Sequence, residues 1–219
     1  MPSSRNARPS KKDLWFQCGR YFLRTIKRED ASERWAGWLA DPWTTHALNS
    51  PPAKLTKNDI VEYIKQFDQR SRLLLGVFER GTRLHVGFIR LDIDDDVSEA
   101  FVSAVIGEPA HRNRGATTDV FVPMLDYLFD TVGLERVRAS ILDRNQLTLN
   151  YLLKLGWQKD PTPETPIKSY SDGAPLERWS VSWTRDAYRG FRQTPIGRRI
   201  LQRLAGGDRP PQRGSDAKR

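Results

Sequence analysis

From Glu108 to Phe129 the chain reads EPAHRNRGATTDVFVPMLDYLF, with Arg112, Asn113 and Arg114 gathered before Gly115 and an apolar repeat following at once. Like charges crowded into a short loop repel one another, so the arrangement suits an anion held jointly by the loop and the helix start. If a helix begins near Ala116, its first backbone amides lack partners within the helix and point into the loop, where the positive end of the macrodipole also lies. Gly115 removes the Cβ that would block close approach, Arg112 and Arg114 can neutralise a diphosphate, and Thr117 adds a hydroxyl donor. A plainer reading, two solvated arginines around an ordinary turn, fits these residues equally well when they are taken alone. Neither GxxxxGK(S/T) nor GxGxxG occurs in the chain.

A second stretch, NQLTLNYLLKLGW, starts about thirty residues further on, and its Asn145 and Thr148 fall one turn apart at a helix start. A strand, LERVRASIL, separates the two stretches. The elements that must carry both are read as follows. YFLRTI is a strand, followed by a helix in KREDASERWAGWLADP that Pro42 stops; LTKNDIVEYIKQFDQ is a helix capped by Thr56. RLLLGVFER and RLHVGFIRLDI form a hairpin, EAFVSAVI (99–106) is another strand, and a helix runs from about Thr117 to Phe129, with Gly133 beyond it. Asn145 to Gly156 is a helix and ERWSVSWT a last strand. Strands that come mostly as hairpins, with helices between them, predict an α/β (α+β) fold with a mixed, mostly antiparallel central sheet flanked by helices.

The chain of 219 residues fits one core. Its single cysteine excludes an internal disulfide, and three scattered histidines offer no zinc spacing, so no metal is expected. No apolar run approaches a transmembrane segment and the first residues lack a signal core, which reads as cytoplasmic. The net charge of +9 is uneven: residues 1–12 carry +4, residues 185–219 carry +7, and 13–184 sum to −2. A phosphate-backbone groove needs cations on the folded body, so specific nucleic-acid binding is not expected. The predicted organisation is a basic tail (1–12), a domain (13–184), a basic helical segment (185–206) and a further tail (207–219). Within that segment TPIGRRILQRLAGG is a helix capped by Thr194, with docking on the body as its default role, and a homodimer contact or an anionic membrane as alternatives. The tryptophans 35, 38, 179 and 183 read as core, and His111 as a surface residue.

With both stretches in view, residues 20 to 184 resemble the GNAT superfamily of N-acetyltransferases. There a loop Q/R-x-x-G-x-G/A cradles the coenzyme A diphosphate and a later N-x-x-S helix lines the pantetheine. The matching residues here are Arg112, Asn113, Arg114, Gly115, Ala116 and Thr117, then Asn145, Thr148, Lys154, Gly156 and Trp157. The opening strand and helix are similar to the branch that includes ribosomal-protein N-terminal acetyltransferases. The resemblance implies acetyl-CoA as acyl donor and direct transfer to a primary amine: a small molecule such as an amino sugar or polyamine, or a protein N-terminus. It also implies backbone donors for the thioester oxygen at a bulge near Val105 and Ile106, a carboxylate base on the strand before the loop, where Glu99 is preferred over Glu108, and a tyrosine acid seven residues after the asparagine. Leu152 stands there instead, leaving Tyr151 as the candidate acid, or else a core aromatic. A base is needed because freeing a lysine-like amine of pKa about 10.4 costs about 4 to 5 kcal/mol at neutral pH. The competing reading is a basic membrane- or nucleic-acid-surface-binding protein that keeps the acyl-CoA fold without turnover, the amine segments Asp41 to Leu55 and 159–176 being the acceptor side otherwise.

Overall fold

The computed structural model describes residues 13–206; the basic stretches expected at 1–12 and 207–219 lie outside the described residues. Nine strands, β1 (Trp15–Cys18), β2 (Tyr21–Thr25), β3 (Arg72–Glu79), β4 (His85–Asp94), β5 (Glu99–Ile106), β6 (Arg136–Leu142), β7 (Gln158–Lys159), β8 (Glu164–Lys168) and β9 (Pro175–Thr184), form one sheet. Its order is β1-β2-β3-β4-β5-β6-β9-β7, with β8 also on β9. Every pairing is antiparallel except that of β5 with β6. The mixed, mostly antiparallel sheet read from the sequence is the sheet observed.

Seven α-helices cover it: α1 (Glu33–Ala40), α2 (Pro42–Leu48), α3 (Lys57–Ile64), α4 (Ala116–Asp126), α5 (Gln146–Lys154), α6 (Arg185–Gln193) and α7 (Pro195–Ala205). Strand β3 shows why two layers are needed. Its Leu73, Leu75 and Val77 enter a core with residues of α4, α5, α6 and α7, while Leu74 and Phe78 enter a second core with Trp35 and Trp38 of α1 and Ile60 and Ile64 of α3. A strand of period two that is apolar at every position must be buried on both faces.

Side chains cap six of the seven helices at their N-termini: Ser32, Asp41, Thr56, Asn145, Thr184 and Thr194 each accept from a backbone N–H of the first turn. Helix α4 has no such cap. Asp41 caps α2 while Pro42 occupies its first position, so the proline that was read as a stop for α1 also starts a second helix. Helix α4 ends at Asp126, short of the expected Phe129, and a wider turn (Tyr127–Val132) leads to Gly133 at φ 85°.

The segment 185–206 is two helices rather than one, and it shares the main core through buried Tyr188, Phe191 and Ile200. It also faces a row of acids. Arg185 pairs with Glu135 (3.1 Å), Arg189 with Asp130 (3.4 Å), Arg192 with Asp126 and Arg203 with Asp119. No helix among the described residues is long and apolar enough to cross a membrane.

Gly107 leads out of β5 with the buried ring of Trp38 against it: a Cβ there would stand 2.0 Å from the ring. Gly107→Ala should therefore cost about 1–3 kcal/mol through overpacking and lower the melting temperature by several degrees. Gly37→Ala, in α1 with nothing within 4 Å of the added Cβ, should raise it. Thermal melts of the two variants beside the wild type check both signs.

Candidate active site

Strands β5 and β6 pair in parallel only over Glu99↔Arg136, Ala100↔Val137 and Phe101↔Arg138. Beyond these residues β5 continues on β4 through Ile106, and β6 continues on β9 through Leu142, so the two strands separate. Their facing edges, 102–106 and 139–142, have no strand partner among the described residues. At the open end lie the starts of the two helices that follow them, α4 and α5. A wedge with unpaired amides and carbonyls along both walls accepts an extended chain that carries its own amides.

At the mouth, Gly115 adopts φ 79°, ψ 3°, and Asn113 also lies in the left-handed region at φ 56°. An ideal Cβ on Gly115 would have no neighbour nearer than 3.9 Å, so the space before the first turn is open. The amides of Ala116, Thr117 and Thr118 face it with no side-chain cap. The first helical bond runs from Asp119 N–H to the Gly115 carbonyl, at 3.0 Å. Arg114 is exposed and has no hydrogen bond or ion pair among the described residues. Asn145 caps α5 by accepting from the Thr148 amide (3.4 Å), which holds both residues at the start of that helix. The residues read from the sequence as the diphosphate loop and the second motif thus stand at the mouth of one cleft.

Arg112 is elsewhere. Its guanidinium turns back into the protein, donating to the carbonyls of Ile106 (3.1 Å) and Gly107 (2.7 Å), pairing with Asp41 at 3.0 Å and lying over the Trp43 ring at 4.6 Å. The diphosphate role expected for it does not match this geometry. Its donors tie the exit of β5 to the start of α2, and the Arg112 cation helps hold the Asp41 carboxyl below its ordinary pKa, together with the Thr44 amide and hydroxyl and against the cost of burial.

Four further expectations meet a different structure. The bulge at Val105 and Ile106 is absent: pairing with β4 runs without a shift from Asp94↔Glu99 to Gly87↔Ile106. Gly87 permits this close approach, since a Cβ there would sit 2.3 Å from the Val105 carbonyl. Glu99 lies where β5 and β6 are still paired, spanned by Arg136 (3.3 Å) and Arg138 (3.4 Å), so it stands at the vertex and not along the separated walls of the cleft. Tyr151 is partly exposed, and its hydroxyl shares a hydrogen bond with the Thr118 hydroxyl on the first turn of α4, which holds it at the mouth of the cleft. Burial raises its pKa. Leu152, at the position where the family has tyrosine, is in the core. His111 is buried on the hydroxyl of Tyr21 (3.1 Å) and does not lie at the surface.

One carboxylate that the sequence did not reveal stands beside the separated part of β6. Glu164 of β8 accepts from the Ser140 hydroxyl at 2.6 Å and pairs with Arg178 at 3.1 Å. Ser180, opposite Ser140 on β9, has a buried hydroxyl with no partner among the described residues. The segments on this side are joined at Asn49, in the left-handed region at φ 51° after α2. Its amide donates to the Lys168 carbonyl (2.7 Å), and its oxygen accepts from Tyr170 N–H (3.1 Å) and Arg144 (3.3 Å). An asparagine before Ser-Pro-Pro is a readable signal for a left-handed helix end, and it was missed. Two surface hollows lie outside the cleft. One, of about 740 Å³, is bordered by Trp15, Phe22, Phe78 and Arg24; the other, of about 290 Å³, adjoins Glu99 and Arg138. Among the described residues no group of three or more acid, histidine or cysteine side chains could hold a metal.

A mixed sheet whose one parallel pair opens beside an uncapped helix start is the frame of an acyl-coenzyme A-dependent transferase. Residues 20–158 match the family described as the acetyltransferase (GNAT) domain, and the chain belongs to that family of acyltransferases. It is 24% identical over 163 residues to the uncharacterized N-acetyltransferase YoaA of Bacillus subtilis, covering 72% of this chain and 89% of that one. Among solved structures it resembles a GCN5-related N-acetyltransferase from Brucella melitensis (TM-score 0.69, 14% identity, 94% of this chain and 90% of that one). It also resembles a spermidine N-acetyltransferase from Vibrio cholerae in complex with CoA and spermine (TM-score 0.67, 15% identity, 78% and 98%). The family uses acetyl-CoA, and the open glycine, the free amides of α4 and the unpaired strand edges fit that molecule.

The two loop arginines should separate in experiment. Arg112→Ala removes the donors to two carbonyls and the cation beside Asp41, which keeps its bonds from Thr44, and should cost about 1–3 kcal/mol of stability. Arg114→Ala, at an exposed site, should change stability by no more than about 0.5 kcal/mol while weakening CoA. Denaturant unfolding together with calorimetric titration resolves the pair; equal stabilities for the two variants would contradict the assignment of Arg112.

Proposed function

We propose that the protein transfers an acetyl group from acetyl-CoA directly to a primary amine bound on the side of the sheet that carries Ser140, Glu164 and the Asn49 junction. The observation that carries this reading is the opening of the β5–β6 pair between an anion-binding mouth at one end and a carboxylate beside its wall. Acetyl-CoA, when bound, supplies an activated thioester. The chain's own residues do the rest. The amides of Ala116 to Thr118 and the Arg114 cation hold the diphosphate, Asn145 and Thr148 border the pantetheine, and the free edge at Val105 and Ile106 offers a backbone donor to the chain in the cleft. Glu164 receives the proton that the amine must lose, and Ser140 and Arg178 fix the orientation of its carboxylate.

Three acids around the cleft are matched by arginines: Glu164 by Arg178, Glu99 by Arg136 and Arg138, Asp41 by Arg112. This pairing weakens their pull on a polycation such as spermine, so we favour an acceptor with a single reactive amine: an amino sugar, another small amine or a protein N-terminus. The likeness to the branch of ribosomal-protein N-terminal acetyltransferases is compatible with the last of these. The non-catalytic surface-binding alternative loses its main support, because the described cations of 185–206 are largely engaged with acids of the body.

An acceptor screen with acetyl-CoA, read as free thiol released, tests the reaction. Glu164→Gln should lower kcat by about a hundredfold or more while CoA binding stays as in the wild type, the usual scale of a positioned base. Glu99→Gln should do much less. If Glu99→Gln were the more damaging change, the base would be misassigned.

A further inference from the structure

With Arg112 turned inward, the loop keeps one cation, Arg114, for a ligand that carries several negative charges. A second cation arrives from α7. Arg203, in the last turn of that helix, points a guanidinium nitrogen to within 3.9 Å of the position a Cβ would take on Gly115, and it pairs with Asp119 in the first turn of α4. Only one of its donor bonds is accounted for among the described residues, and the side chain is 55% exposed. A guanidinium has five N–H donors, so four are without a partner among the described residues, and the nitrogen nearest Gly115 keeps one of them.

Its placement is fixed by packing. Thr194 caps α7, Ile200 is in the main core, and Leu204 lies on the β1–β2 turn, where a Cβ on Gly19 would be 3.3 Å from it. Gly197 lets α7 pass close to α6, since a Cβ there would meet the Phe191 carbonyl at 2.1 Å. The charge balance points the same way. Asp119 is a buried carboxylate within the turn whose amides are open to an anion, and its own field repels one. Burial raises its pKa and the Arg203 cation opposes that rise. With Arg203 present, the mouth carries a net positive field; without it, an acid would stand behind the uncapped amides.

We propose that Arg203 is a ligand of the donor's phosphates, so that α7, which lies beyond the residues matched by the family, completes the coenzyme mouth. This inference rests on the reading of Gly115 to Thr118 as the diphosphate site. It assigns Arg203 two tasks in one position: it offsets the Asp119 charge and presents its remaining donors to the phosphates, as a bidentate group does.

The test uses the full chain, with CoA binding measured by calorimetry and acetyl transfer measured with acetyl-CoA and with S-acetylpantetheine, which lacks the diphosphate. Arg203→Ala should weaken CoA by about tenfold or more, Arg203→Lys by less, and transfer from S-acetylpantetheine should be unchanged, as should kcat at saturating acetyl-CoA. The Asp119→Asn, Arg203→Ala double variant should stay weak. A change in CoA affinity of less than about twofold on Arg203→Ala would overturn the proposal. So would equal damage to transfer from both donors, which marks a structural role, or recovery of wild-type affinity in the double variant, which marks a charge screen alone. If the wild type itself bound no CoA, the donor site would fail first, an outcome distinct from a wild type that binds and a variant that binds as well.

Discussion

Past Phe101, strand β5 keeps its neighbour β4 and loses β6, and this single break in pairing governs the rest of the site. A sheet interior does not leave backbone donors and acceptors unmatched without cost, so the two bare edges persist only if the flanking structure holds them apart and something polar occupies the gap. The flanking structure is visible in the register. Gly87 keeps β4 flush against β5 to Ile106, seven residues of β9 hold β6 to Leu142, and Glu99 with its two arginines closes the vertex where the strands part. Fixing both outer sides forces the separation to appear between them.

The exit from β5 is then under strict demand, because the chain must turn at once to bring α4 back across the sheet. Arg112 meets that demand. Its donors take carbonyls at the end of the strand and its charge reaches Asp41, which caps α2, so the loop between β5 and α4 and the helix α2 share one side chain. A surface ion pair is worth little, but this guanidinium also donates to two backbone carbonyls and sits over an indole. The loop can therefore be rigid while Gly115 and the α4 amides stay open.

The strand 99–106 and the cap at Asn145 were legible because their signals are local: an apolar run of one length, and a short polar side chain three residues before the amide it meets. Thr56 was legible for the same reason. What escaped was decided over distance or by direction. Helix α6, RDAYRGFRQ, buries only Tyr188 and Phe191, too sparse a stripe to read in a polar segment. Strand β8, ETPIK, carries a proline and lies between DPTP and SYSDG, which look like loop, so Glu164 gives no signal of its own. Arg112 and Arg114 are indistinguishable as letters; a long flexible side chain goes where its partners are, and those partners, at 41, 43, 106 and 107, are brought together only by the fold.

Charge shows how local and global facts combine. The excess of positive charge near the C-terminus, read by itself, suggests a polyanion-binding arm. The structure sets Arg185, Arg189, Arg192 and Arg203 against Glu135, Asp130, Asp126 and Asp119, acids that run back from the start of β6 through the wide turn to the last and first turns of α4. The first three pairs stand away from the cleft and serve docking. The fourth stands at the uncapped amides, where the field of a cation and the field of a helix start point the same way. A row of equivalent pairs thus becomes inequivalent at its last member, because only there does the acid share its turn with an anion's place.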